Sequence, residues 1–418
     1  VSESEAVTVH AAAAPERAGS GRNTAVLVGF TAVTSIADGV MKMALPFLAA
    51  HLTDSPFEVT VVSLTLTLPW LLIALHIGVL VDRFDRRLLL WVANAMRLAA
   101  MGWLTASALG DGVKLHQLFI SGAILGVAEV LAATSAAALV PAAVPEGGRE
   151  RANAWMLGAE TLALEFAGPF VGGLLLAIGT AFALGATGVA YVLAALVLLL
   201  LVGRFQATRS AARTAPTRVS SRIAEGLRFI WKHRLLRTLM LVVAVLNATW
   251  SAWMALLPLY ARETLALNPR QYGIALSALG IGGLTGTLAV SRVNRLLGPR
   301  WAMFGAPCGT TAMVALPALT TTVWAVALGA FLGGVGSTLW TVNARTISQR
   351  LVPDEMLGRF SATFRFFAFG AMPLGAAVVG LLAEIAGTRF AFGVFAAATV
   401  AVMAPFLRNI TRSVLLLP

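Results

Sequence analysis

Gly78-Val79-Leu80-Val81-Asp82-Arg83-Phe84-Asp85-Arg86-Arg87 sits at the seam between two long apolar runs. Five of its last six residues are charged, and nothing else between residues 55 and 110 is as polar. Charges that dense cannot lie in hydrocarbon, so the stretch marks a water-facing turn between two membrane helices. Its three arginines also say which side the turn faces, because inner loops carry the excess of Lys and Arg.

The rest of the chain has the composition that such a turn requires. It has 418 residues, 58% hydrophobic and 12% charged, where a soluble domain carries roughly 25% charged residues. Too few charges are present to cover the surface of a soluble fold, so the bilayer is the solvent for most of the chain. The net charge of +12 does not point to nucleic acid. The basic residues cluster in short segments between apolar runs, with no basic-aromatic platform beside them. Cys308 stands alone, and the five His residues are scattered, so no disulfide, metal site or cofactor is expected.

Runs of spanning length cover roughly 24–50, 57–81, 86–109, 113–143, 150–178 and 181–203, then 236–262, 270–291, 300–319, 322–350, 358–385 and 388–408. The expectation is an all-α integral membrane protein with twelve transmembrane helices. Residues 1–23 read as a disordered cytoplasmic tail, 24–203 as a first six-helix bundle, 204–235 as a basic cytoplasmic linker, 236–410 as a second bundle and 411–418 as a tail. With both termini inside, Lys114, Arg262, Arg270 and Arg389 fall in outer loops, Lys42 and Arg97 fall within spans, and the rest of the 31 Lys and Arg residues lie inside. From Ser221 onward, Ile223, Leu227, Phe229, Ile230 and Trp231 are interleaved with basic residues. That stretch reads either as an amphipathic helix lying on anionic lipid or as a solvated linker carrying topogenic charge.

The two halves superpose in sequence. Gly78-Val79-Leu80-Val81 matches Gly286-Thr287-Leu288-Ala289, and Val144-Pro145-Glu146 matches Val352-Pro353-Asp354, both at a shift of 208. Ala44-Leu45-Pro46 resembles Leu256-Leu257-Pro258 at a shift of 212. Six helices duplicated in parallel build a pseudo-symmetric transporter whose site lies between the halves.

At these residues the chain resembles the major facilitator superfamily, whose loop signature reads Gly-x-Leu-x-Asp-Arg-x-Gly-Arg-Arg. Gly78, Leu80, Asp82, Arg83, Arg86 and Arg87 match, and Asp85 replaces the usual Gly. The Asp-Arg-x-Asp-Arg-Arg variant resembles the branch of bacterial exporters that includes enterobactin and macrolide efflux proteins. The resemblance implies that this turn is a cytoplasmic latch. The competing reading is that its arginines only set topology. The second-half copy, Val290 to Arg295, keeps arginines but has no acid. Asp82→Asn is therefore expected to cripple transport, and Asn294→Ala to be mild.

Gly168-Pro169-Phe170-Val171-Gly172-Gly173 lies deep in the fifth run and resembles the element that marks proton-exchanging exporters of this superfamily. The expected Gly four positions upstream is Leu164, so the match is partial. Small residues at this depth also serve simple close packing. Asp38 and Lys42 are four apart, share a helix face and can pair. Glu129, Glu165 and Arg97 lie mid-span in the fourth, fifth and third runs. Charges at such depth face a cavity or a partner, so these five residues read as proton-coupling groups or as structural ion pairs. The fourth run lacks the Arg-x-x-x-Gly of many drug-proton exporters, and its Gly126 is followed by Glu129 instead. Trp250, Asn247 and Asn343 are candidates for the cavity wall.

No Lys follows a Gly-x-x-x-x-Gly, so ATP does not drive the chain directly and a gradient must. The expectation is a proton-coupled secondary exporter of an amphipathic small molecule (drug, siderophore or secondary metabolite). It would work as a monomer among the lipids of a bacterial inner membrane. A uniporter or importer of a small solute is the nearest alternative, and a non-transporting receptor or scaffold is the alternative of another class. No catalytic cluster supports an enzyme.

Overall fold

The computed structural model describes residues 16–201, 227–351 and 354–409, and those residues are helices joined by short turns. Ten of the described helices are long and apolar enough to cross a membrane. One of them, Pro269–Leu319, is two spans, because Gly298 (φ 79°) turns the chain back midway along its 51 residues. Pro56–Leu72, continued past a break at Ile73 as Ala74–Arg83, supplies another crossing. Among the described residues the spans therefore number twelve, as the hydropathy pattern predicts.

We label them α1 (Glu16–Leu52), α2 (Pro56–Leu72 with Ala74–Arg83), α3 (Arg86–Leu109), α4 (Leu115–Ala143), α5 (Glu146–Thr161 through Ile178) and α6 (Thr180–Leu199). The second set is α7 (Arg234–Glu263), α8 and α9 (the two limbs of Pro269–Leu319), α10 (Val323–Leu351), α11 (Asp354–Ala386) and α12 (Thr388–Asn409). The chain starts are locally encoded. Ser55 caps α2 with Pro56 in the first turn, and Asn268 and Gln271 form a capping box at α8.

Two departures from the sequence reading concern the segments outside the spans. α1 reaches back to Glu16, into the stretch read as tail, and Asn23 holds it there by donating to the Ala143 carbonyl at 3.3 Å. Residues 1–15, 202–226 and 410–418 lie outside the described residues. The end of the amphipathic stretch, 227–232, is helical, but it buries Ile230 against Leu235, Leu236 and Leu239 of the second bundle. Its apolar side thus packs on protein, while Arg228, Trp231 and Lys232 stay exposed.

The packing repeats between halves as well. Gly126 of α4 presses on the Leu66 carbonyl and Pro69 of α2, and Gly334, 208 residues on, presses on Leu279 and Gly283 of α8. Where the bundles meet, the described residues form a shared apolar core at one end only. Phe47, Trp253, Tyr260, Tyr272, Val379 and Phe392 belong to one cluster drawn from both bundles. At the other end each bundle has its own core, one around Phe30, Leu90 and Leu139 and one around Leu239, Trp340 and Phe406. We call these the Asp54 end, which is closed, and the Asp85 end, where the cores part.

Candidate functional site: a cavity beside a buried ionic network

The bundles enclose a cavity of about 730 Å3, counting its solvent-open part, between α1, α2 and α5 of the first and α7, α8 and α11 of the second. Its wall is mostly apolar. Met43, Met254 and Met372 come from three different helices, and Trp250, Leu276 and Leu279 add bulk from the second bundle. Thioether side chains adapt to ligands of different shape. Polar atoms come from Ser63, Thr67 and Ser251, and charge among the described lining residues comes from Lys42. Of the three expected wall residues, Trp250 lines the cavity. Asn247 donates to the Ala368 carbonyl at 2.9 Å, and Asn343 donates to Leu339 O (2.8 Å) and Asn294 Oδ1 (3.1 Å), so neither is among its lining residues.

The Asn343–Asn294 bond also revises the expectation for Asn294. Asn294→Ala removes an acceptor from a buried amide, which costs about 1 kcal/mol. A lower unfolding temperature in detergent is expected, with little change in transport per folded molecule. Unchanged unfolding would show that the bond carries no weight.

Behind the cavity wall lies the ionic network. Asp38 and Lys42 share a face of α1 but do not pair with each other. Arg97 of α3 donates from Nη2 to Asp38 Oδ2 at 2.5 Å, and the Tyr191 hydroxyl of α6 donates to Asp38 Oδ1 at 2.7 Å. Lys42 reaches Glu129 of α4, Nζ to Oε1 2.9 Å. The residues are one turn apart, but each meets a different neighbouring helix, and those neighbours decide the partners. The Arg97 side chain is 2% exposed and lies 5.4 Å from the Tyr191 ring centre. Asn94 fixes that part of α6 by donating to the Tyr191 carbonyl at 2.7 Å.

Glu160 of α5 is a member the sequence reading passed over. It is solvent-exposed yet within electrostatic reach of Glu129, Lys42 and Asp38. It lies about as far into its run as Arg97 does into its own, so the same depth count finds it. The Glu165 side chain lies outside the described residues.

The Gly-Pro element of α5 works at two contacts. A six-residue π-helical segment, Leu162–Ala167, precedes it, a feature that recurs at functional sites and that hydropathy cannot reveal. Gly168 then meets Gly39 of α1 backbone to backbone, and Gly172 meets Val40. Gly173 faces the other bundle, against Pro269 and Gly273 of α8.

The closed end is held by polar contacts the sequence did not disclose. Arg262 of α7 donates to the Ala50 carbonyl in the last turn of α1 and to Asp54. Glu384 of α11 accepts from the Ser55 hydroxyl (2.9 Å) and from the Phe57 N–H (3.2 Å) in the first turn of α2. Each charge matches the helix end it touches, a cation at a C-terminus and an anion at an N-terminus. Phe47 stacks on Tyr272 beside them, with ring centres 5.1 Å apart. Farther from that end, Trp70 of α2 stacks on Phe369 of α11 at 5.8 Å.

In the opening turn, Asp85 caps α3, its Oδ1 accepting from the N–H groups of Arg87 (2.8 Å) and Leu88 (3.3 Å). That gives the departure from the family's Gly a local helix-starting task. The Asp82 side chain lies outside the described residues. Among the described residues, no ion pair joins Arg83, Arg86 or Arg87 to another helix.

Comparison with known proteins agrees with this architecture. The family model described as transmembrane secretion effector matches residues 24–413. The multidrug efflux pump Tap of Mycobacterium tuberculosis is 29% identical over 389 residues, covering 89% of this chain and 90% of that one. The Tap protein of Mycolicibacterium fortuitum is 26% identical over 383 residues, 89% and 92% of the two chains. Among solved structures, a bacterial homologue of the iron transporter ferroportin in its inward-facing state superposes with a TM-score of 0.72 at 17% identity, covering 94% and 99%. The nucleoside transporter NupG superposes at 0.67 and 12% identity, covering 92% and 98%.

Proposed function

The chain belongs to the transmembrane secretion effector family, within the major facilitator superfamily of transporters, and we propose that it exports amphipathic small molecules in exchange for protons. It is a multi-pass membrane transporter. The observation that carries the proposal is the juxtaposition of a soft, apolar cavity between the bundles with carboxylates on α1 and α4 whose partners are cations. The efflux function of the Tap relatives supports the same direction of transport.

The membrane is the bacterial plasma membrane, with both termini in the cytoplasm, so the Asp54 end faces out. The conformation described is then closed outward and parted inward, the state in which a substrate enters from the cytoplasm. Asp82, Arg83, Arg86 and Arg87 latch the Asp85 end in the opposite state. Charge pairs at such a seam, each about 0.2–1 kcal/mol, bias two conformations without freezing either. Protonation of Asp38, Glu129 or Glu165 weakens the ion pairs that hold α1 to its neighbours and moves the balance between the states. The working unit is the monomer.

The test is flux in proteoliposomes under an imposed pH gradient, with a fluorescent amphipathic dye as substrate. The expected result is dye movement that reverses with the gradient, and loss of that dependence in the triple variant Asp38→Asn, Glu129→Gln, Glu165→Gln. Dye movement indifferent to the gradient in the unaltered protein would make it a uniporter and overturn the proposal.

A further inference from the structure

We infer that the second bundle holds the headgroup of an anionic phospholipid at its Asp85 end, in the seam where α7, α9 and α12 meet. The partner is the membrane itself. The site is separate from the cavity and does not depend on what the chain exports.

Hydrogen bonds bring three helix ends together at this seam. Asn409, the last residue of α12, donates from Nδ2 to Thr238 Oγ1 of α7 at 2.8 Å. Two residues earlier, the Leu407 carbonyl accepts from Nη2 of Arg300, near the start of α9, at 3.0 Å. Arg408 lies between these two anchors and is exposed. On α7, Arg237 precedes Thr238 directly, and the Arg234 carbonyl accepts from the Thr238 hydroxyl at 2.9 Å. Arg234, Arg237, Arg300 and Arg408 thus all stand within about one turn of the two interhelical bonds. Among the described residues no ion pair joins any of them to a carboxylate, and the first turn of α7 holds no acidic residue. Their charge is permanent at any working pH.

The surface beside these arginines is apolar and exposed. On α12, Val394, Ala397, Ala401 and Ala404 are exposed at alternating spacings of three and four, and Arg408 ends that face. On α7, Leu241 is exposed one turn beyond Arg237. Two indole rings mark the same level. Trp231, 51% exposed, lies 6.0 Å from the Arg237 guanidinium, and Trp301, 41% exposed, lies 5.4 Å from that of Arg300. Amphipathic rings of this kind settle at headgroup depth, and stacked guanidinium groups leave edges free for phosphate oxygens.

A topology signal needs only a count of charges on one side of the membrane. These arginines also end two exposed apolar faces and sit beside interfacial rings. A phosphodiester carried on two acyl chains matches all three features. A soluble anion uses only the charges, and a zwitterionic lipid brings a cation that the arginines repel. Basic pockets between transmembrane helices take up anionic headgroups in this way.

The experiment titrates the delipidated full chain in detergent with dioleoyl phosphatidylglycerol. Bound lipid is counted by native mass spectrometry, and the unfolding temperature is read in parallel. Saturating lipid is expected to raise that temperature by about 4 °C, and phosphatidylcholine with the same chains by less than half as much. The exposed pair Arg234→Gln with Arg408→Gln should weaken phosphatidylglycerol binding roughly 25-fold, about fivefold for each charge. Arg234→Lys with Arg408→Lys should keep most of the affinity, which guards against a folding defect. Arg83→Gln with Arg151→Gln removes the same charge from exposed arginines of the first bundle at the same end. That control should bind within about twofold of the unaltered protein, because headgroup attraction falls off within a Debye length. Equal binding of the two lipids would overturn the inference, as would an equal loss in the control pair. Glycerol 3-phosphate matching the thermal shift of the lipid would make the seam a site for soluble anions and overturn it as well.

Discussion

Asp38→Ala is expected to abolish transport and to lower stability by about 3–5 kcal/mol, the usual cost of breaking a buried ion pair by removing one partner. The cause is Arg97. Its guanidinium is 2% exposed, and Nε and Nη1 have no hydrogen-bond partner among the described residues. Asp38 supplies the contact that compensates the charge, and the same carboxylate accepts the Tyr191 hydroxyl. Its removal leaves a cation and a hydroxyl stranded together in the core of the first bundle. Arg97→Ala should be as harmful, for the mirror reason. The double variant Asp38→Asn with Arg97→Met removes both charges, and its unfolding temperature is expected to recover most of the loss. Transport should not recover with it, because a neutral pair cannot respond to a proton. Thermal unfolding in detergent and dye efflux from cells read the two properties apart. Wild-type efflux in the double variant would show that the pair is only structural.

The same pair shows how far sequence reasoning reaches. A spacing of four places Asp38 and Lys42 on one face of α1, and hydropathy places Arg97 and Glu129 at matching depth. Which acid meets which base depends on how α3, α4 and α6 pack around α1, and no local pattern records that. Spans and their number were legible because the demand for about 20 apolar residues per crossing leaves a strong one-dimensional trace. The turn at Gly298 was legible for the same reason, and its backbone there is non-helical (φ 79°, ψ 160°). By contrast, Asn247 and Asn343 looked like cavity handles because a polar residue in an apolar run needs a partner, and both found one in a neighbouring helix. Arg262 and Glu384 looked like ordinary loop charges near span ends. Their partners are helix termini more than 200 residues away in sequence.

A second large effect is expected from Gly173→Val, which should slow transport at least tenfold while leaving the protein folded. A Cβ on Gly173 would lie 2.8 Å from the Pro269 carbonyl oxygen and 2.9 Å from the Gly273 Cα. Both are backbone atoms of the second bundle, so no side-chain rotation relieves the clash, and α5 and α8 must separate. Overpacking of this kind costs about 1–3 kcal/mol. Here the cost falls on one conformation, because the contact joins the bundles only where the Asp54 end is closed. An equilibrium between two states that differ by a few kcal/mol is shifted by roughly tenfold for each 1.4 kcal/mol. The variant should accumulate with the Asp54 end parted. A cysteine at the cavity residue Ser63, in a Cys308→Ser background, should then react faster with an impermeant maleimide added at that end. Gly173→Ala should give an intermediate rate. Gly102→Val is the control, since a Cβ there meets nothing within 4 Å. Faster labelling with slower transport would identify Gly173–Gly273 as the contact that must open and close in each cycle. Unchanged labelling and transport would show that the two bundles absorb the added bulk elsewhere, and the hold on the closed end would then rest on the shared apolar core with Arg262 and Glu384.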